Sequence, residues 1–101
     1  MPAYWIAHAK VNDPVEYKKY TDPLPGIFKS YNARILARGG RFQVMEGSEG
    51  AARHVVIEFP DFDAAVRCFE SKEYKDAAAN RRCNGVGDVR ILIVDGGDAT
   101  K

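Results

Sequence analysis

His8, Glu58 and Arg90 are the residues of this 101-residue chain with the strongest case for chemistry, because all three fall in runs that read as strands. A carboxylate beside an imidazole raises the ring's pKa and makes a general base near neutrality; a neighbouring guanidinium can hold an anion. The same charges equally make an ion-pair network that stitches two subunits together. Tyr17, Tyr20, Tyr74 and Arg81, on helix-like segments, form a second set with Arg38 on an extended one. Phenol hydroxyls around a guanidinium suit a small carboxylate or enolate lying between helices and sheet. The alternative is a group of core tyrosines with wet hydroxyls, and an arginine placed at a helix C-terminus. Arg38-Gly39-Gly40 offers backbone N–H groups to an anion, or marks a bulge in an edge strand.

Other chemistries lack their parts. Cys68 and Cys83 lie fifteen positions apart, about 22 Å along a continuous helix, which no disulfide spans. Cys68 reads as a small buried hydrophobe and Cys83, nearer a loop, as the more reactive thiol. There is no C-x-x-C, and the two histidines are far apart in sequence, so no metal set is expected. Phosphate loop, dinucleotide fingerprint and Ser-His-Asp or Cys-His pairing are all missing, so no cofactor is expected either. Any catalysis falls to side chains alone, or to the substrate's own reactivity toward oxygen or a proton.

The elements that must position these residues follow from alternation and punctuation. Ala3–Val11 alternates as a strand, with Tyr4, Ile6, His8 and Lys10 on one side and Trp5, Ala7, Ala9 and Val11 on the other. Asn12 or Asp13 caps a helix with Pro14 at its first position, running to about Tyr20. Pro23 and Pro25 break it, and a second segment from Leu24 to Asn32 carries Ile27, Phe28 and Tyr31 inward. A strand over Arg34–Arg38 is interrupted by Gly39-Gly40 and resumes through Phe42–Glu46. Gly47-Ser48-Glu49-Gly50 is a turn, and a third strand covers His54–Phe59 until Pro60 stops it. Asp61 caps a helix whose inward stripe is Phe62, Ala65 and Phe69, with Cys68 beside it. Ser71 interrupts this helix, and a further turn or two carries Tyr74, Ala77 and Ala78. Val89–Val94 is the last strand, and residues 96–101 form a frayed, flexible tail.

The order β-α-β-β-α-β is the split-βαβ plan of an α+β, ferredoxin-like domain over residues 1–95, a four-stranded antiparallel sheet with helices on one face. Trp5, Ala7, Ala9, Val55, Ile57, Phe59, Val89, Ile91 and Ile93 make the helix side. The other face carries Tyr4, Ile6, His8, His54, Val56, Glu58, Arg90, Leu92 and Val94. That face is too apolar for open water, and a homodimer through it is expected.

The ordered set Asp13-Pro14-x-x-Tyr17-x-x-Tyr20, Arg38-Gly39-Gly40, Glu46-Gly47, Glu58-Phe59-Pro60, Ser71-x-Glu73-Tyr74 and Arg81 resembles the bacterial domain-of-unknown-function 1330 family over residues 2–95. The resemblance implies the dimeric α+β barrel superfamily, in which two such sheets pack face to face. That superfamily includes cofactor-free monooxygenases, muconolactone isomerase-like proteins and haem-handling enzymes. It implies a fold and a dimer rather than a reaction. The chain departs from the family pattern at Tyr31, where many relatives carry histidine, and at Cys68, where a large aromatic is common.

Bulk properties narrow the partners. Fifteen basic and fourteen acidic residues leave a net charge of +1, so no global field recruits nucleic acid or an anionic membrane. The third strand places Glu58 on the open face and Phe59 on the helix side, unlike the base-stacking aromatics of an RNA-recognition motif. No apolar run reaches the roughly 20 residues a membrane helix needs, and Met1–Ile6 does not read as a signal peptide. The expectation is a cytoplasmic protein with a small-molecule ligand, an oxygenated aromatic or carboxylate, or else a non-catalytic dimeric module for stress or partner binding.

Overall fold

Alternation in the opening strand sets the architecture. β1 (Ala3–Val11) buries Ala3, Trp5, Ala7 and Ala9 on one side and leaves Tyr4, Ile6 and His8 half-buried on the other. The computed structural model describes residues 1–47 and 50–100. In it β1 is followed by α1 (Pro14–Thr21), α2 (Leu24–Ser30), β2 (Arg34–Arg38), β3 (Arg53–Phe59), α3 (Phe62–Glu70), α4 (Lys72–Arg82) and β4 (Gly87–Asp95). The strands form one antiparallel sheet in the order β2-β3-β1-β4. This is the α+β, ferredoxin-like β-α-β-β-α-β plan, with each crossover split into two helices. No helix among the described residues is long and apolar enough to cross a membrane.

Local chemistry explains the splits. The Asp13 carboxylate accepts from Glu16 N at 3.1 Å with Pro14 behind it, which starts α1. Pro23 and Pro25 follow its end and restart the chain as α2. Ser71 both ends α3 and begins α4: its hydroxyl donates to Cys68 O at 2.7 Å and accepts from Tyr74 N at 3.2 Å. Trp5 is the centre of the core, with the rings of Phe28, Phe59, Phe69 and Tyr74 between 5.1 and 5.9 Å away. Ala64, Ala65, Ala77 and Ala78 are buried in α3 and α4.

Four details differ from the sequence reading. Residues 42–46 do not resume β2. Gly39 takes a left-handed φ of +64°, the chain leaves the sheet edge there, and Phe42, Val44 and Met45 are exposed. The ladder irregularity lies between Ile35 and Ala37 rather than at the glycine pair. Phe62, at the first position of α3, is exposed, and the inward stripe is Ala64, Ala65 and Cys68. At the C-terminus Gly96 N donates to Pro2 O at 2.9 Å and Gly97–Thr100 form one 3-10 turn. Of the expected turn over residues 47–50, Ser48 and Glu49 lie outside the described residues, as does Lys101.

Candidate functional site

A one-residue slip in β2 builds one wall of the site. Arg34 pairs with Glu58 and Ile35 with Ile57, but Ala37 then pairs with Val56 and Arg38 with Val55. Leu36 is the extra residue. Without it, alternation would send Arg38 to the open face with Arg34; with it, Arg38 shares the helix side with Val55. Arg53, at the start of β3, falls on that side by simple alternation with Val55, Ile57 and Phe59. Gly39 makes room for it: a Cβ at that glycine would collide with the Arg53 guanidinium.

Arg38 and Arg53 line a cavity of about 280 Å³ between the sheet and the helices of the first crossover. Trp5, Ala7, Ala9, Ile57 and Val89 give it an apolar floor, and Tyr17, Tyr20 and Phe28 stand over that floor. The space exists because β1 supplies alanines there. A cavity of about 150 Å³ accepts benzene, so this one admits a substituted ring. No carboxylate among the described residues lies within 4.0 Å of the charged nitrogens of Arg38 or Arg53. Asp22 also lines the cavity and is ion-paired with Lys18 at 3.7 Å.

Three members of the tyrosine set, Tyr20, Tyr74 and Arg81, are in mutual contact. Tyr20 and Tyr74 share a hydroxyl–hydroxyl hydrogen bond of 2.7 Å, and Arg81 Nη2 donates to the Tyr74 hydroxyl at 3.2 Å. The Arg81 guanidinium lies 4.9 Å from the Tyr20 ring centre, and its Nε is buried with no hydrogen-bond partner among the described residues. Tyr74 and Arg81 therefore stand behind Tyr20 rather than on the cavity wall. Burial works against the charge of Arg81, but the Tyr74 hydrogen bond and the nearby tyrosine oxygens outweigh it and raise its pKa. Burial, with Tyr20 beside it, raises the Tyr74 phenol and keeps it neutral. Tyr17 differs. It lines the cavity, and its hydroxyl makes no hydrogen bond among the described residues. Burial raises its pKa and so does Tyr20, while the charges of Arg53 and Arg81 pull the other way. Gly87 seats this ring, since a Cβ there would lie 2.7 Å from Tyr17 Cε1.

The His8–Glu58 pair is not assembled. In the β1–β3 register His8 faces His54, and Glu58 faces Tyr4. Four residues of strand separate His8 from Glu58, about 13 Å at 3.3 Å each. Glu58 is instead ion-paired with Arg34 at 3.1 Å. Arg90 does lie opposite His8 on β4 and is exposed. All of these side chains belong to the open face, across the sheet from the cavity. The unforeseen contact is between the two histidines, whose Nδ1 atoms are 2.8 Å apart. Arg53 was the residue missed at the cavity, although the alternation of β3 pointed to it. Cys68 is buried, its thiol pushed up to about 12 by burial, then by Glu73; Cys83 is exposed, and both are free.

Solved structures share this fold. The RPA0582 protein of unknown function from Rhodopseudomonas palustris superposes with a TM-score of 0.73 at 15% identity, covering 93% of this chain and 81% of that one. SnoaB, a cofactor-independent oxygenase from Streptomyces nogalater, gives 0.61 at 13% identity, over 91% of this chain and 89% of its own. A dimeric protein of unknown function and ferredoxin-like fold from Bacteroides fragilis gives 0.61 at 12% identity, over 93% and 95%. At these identities the likeness is one of fold. No curated protein matches the sequence. The sequence pattern of the domain of unknown function DUF1330 matches residues 2–96, nearly the whole chain, and the protein belongs to that family.

Proposed function

We propose that the cavity under Tyr17 and Tyr20 binds a small oxygenated aromatic or carboxylate metabolite, and that the protein acts on it without a cofactor. One observation carries this reading: an apolar cavity of ring size whose wall holds two arginines with no carboxylate partner among the described residues. The ring of the ligand lies on Trp5, Ile57 and Val89, and its anionic oxygens face Arg38 and Arg53. The Tyr17 hydroxyl, which has no hydrogen bond among the described residues, donates to the same oxygens. When an enolate or phenolate develops, these donors stabilise it in place, which is the use of an oxyanion site. In this reading the proton acceptor is Asp22, which lines the cavity and is ion-paired with Lys18. Tyr74 and Arg81 hold the Tyr20 ring from behind. That SnoaB, of the same fold, is a cofactor-independent oxygenase supports the class of reaction.

The proposal includes a homodimer through the open face. Leu92 and Val94 are 49% and 41% exposed there, beside Ile6 and Val56, and a protein of the same fold is dimeric. Light scattering at micromolar concentration should give twice the 11.2 kDa chain mass; a clean 11 kDa particle removes this part. The binding reading is tested by a thermal-shift screen with small aromatic acids. A ligand at 100 times its Kd adds about 2.7 kcal/mol of stability. A flat response across benzoates, hydroxybenzoates and naphthoates moves the weight to a non-catalytic dimeric module.

A further inference from the structure

We propose that residues 41–46 are an arm that joins a second copy of this chain, adding to the outer edge of its β4 as an antiparallel strand. The inference rests on the homodimer proposed above and names the elements that hold it together. Phe42, Val44 and Glu46 alternate with Arg41, Gln43 and Met45, which is the period of a strand. Among the described residues, however, no backbone-to-backbone hydrogen bond involves residues 40–46, and Phe42, Val44 and Met45 are exposed. A segment with alternating apolar side chains and open N–H and C=O groups is half of a β ladder.

The other half is β4. Among the described residues it pairs with β1 alone. Its outer edge is nine residues long and without proline, and Leu92 and Val94 are exposed there. Left open, such an edge invites uncontrolled pairing with other chains. The chain's own arm leaves the sheet at the opposite edge, three strand spacings or about 14 Å away. Phe42 also packs with its ring centre 4.5 Å from that of His54 on β3. The occupant of the β4 edge is therefore the arm of a second copy, and a two-fold axis gives each chain one arm and one edge to engage.

Side-chain pairing selects one register. Phe42 is on the open-face side, so Phe42, Val44 and Glu46 must meet the open-face residues of β4. Setting Phe42 opposite Val94 puts Val44 opposite Leu92 and Glu46 opposite Arg90. On the other side of the same ladder Met45 meets Ile91 and Arg41 meets Asp95. Two apolar contacts and one pair of opposite charges on each chain thus match on the open side, and a second charge pair matches behind it. None of these four charged residues is ion-paired among the described residues. A slip of two residues one way sets Glu46 against Asp88, and the other way carries Phe42 past the end of β4 at Asp95.

The test uses the Cys83→Ser chain, which removes the exposed thiol. Val44→Cys combined with Leu92→Cys should form disulfides between chains and run on a non-reducing gel at twice the 11.2 kDa chain mass. Phe42→Cys combined with Leu92→Cys, two residues out of register, should stay a single chain there. Glu46→Arg and Arg90→Glu should each weaken the dimer about tenfold or more in sedimentation, and the double reversal should restore it. Circular dichroism checks folding, and if the cysteine variants do not fold, the charge series decides alone. A parent dimer without the in-register disulfide, or one that the reversals leave unchanged, overturns the arm and spares the homodimer. A parent that stays a monomer in light scattering overturns both.

Discussion

Arg53 and Tyr17 show what was and was not legible at the scale of single residues. Arg53 lies one residue before the strand read as His54–Phe59; extending that strand's alternation by one position assigns it to the side of Val55 and Ile57. The separation of His8 from Glu58 was not legible. Both lie on the open face as read, but face alone does not set register, and a four-residue offset turns a candidate dyad into two unrelated contacts. Arg53→Met should weaken binding of an aromatic acid by ten- to a hundredfold, since a hydrogen bond to a charged group contributes about 1.5–3 kcal/mol. Isothermal titration against the parent measures it, and unchanged affinity removes Arg53 from the site. Gly87→Ala drives a methyl into the Tyr17 ring and should destabilise the fold by about 1–3 kcal/mol in urea unfolding. Alkaline pH acts on buried neutral groups. Cys68, Tyr17 and Tyr74 all have raised pKa values in the fold, so their contribution to stability is fully present below the unfolded values of 9.0 and 10.0. It is lost as pH climbs from there, through about 12 for Cys68. Urea midpoints should hold level to about pH 9 and fall above it, less steeply in Cys68→Ala between pH 9 and 10. Level midpoints to pH 11 contradict this.

At the scale of elements, most boundaries were in the sequence because they rest on local chemistry. Asp13-Pro14, Pro23, Pro60-Asp61 and Ser71 are caps and breakers whose effects need no tertiary contact. The second strand was the exception. Residues 42–46 alternate well enough to read as strand, but β2 is an edge with no further strand to receive them, and Gly39 turns the chain away. The Leu36 bulge was equally hidden, since nothing in Ile-Leu-Ala marks an extra residue. It nevertheless decides which side of the sheet Arg38 joins. Deleting Leu36 should restore regular alternation and put Arg38 on the open face. Affinity for an aromatic acid should then fall about as far as in Arg38→Met, while circular dichroism stays that of the fold; retained affinity denies the bulge its role. Ser71→Ala removes the cap shared by α3 and α4 and should cost about 1 kcal/mol in thermal or urea unfolding.

For the whole molecule, the sheet divides the chemistry in two. On the helix side Trp5 gathers four aromatic rings into a core, and the alanines of β1 leave a cavity next to it. On the open side an apolar face carries the histidine pair and the residues proposed to meet a second copy. The element order and the two face assignments were legible in the sequence, since the alternation of β1, β3 and β4 survives in the sheet. The cavity was not, because an alanine in a strand reads equally as close helix packing or as empty space. Ala9→Leu should fill it, and thermal shifts by aromatic acids should vanish while the fold persists. The most direct measurement is a ¹⁵N–¹H NMR titration of the intact chain with the strongest aromatic acid from the screen. Binding at the cavity predicts saturable shifts gathered on Tyr17, Tyr20, Phe28, Arg38, Arg53 and Val89, with the amides of Leu92 and Val94 unmoved. Shifts gathered on the open face, or none at a concentration that stabilises the protein, would contradict it.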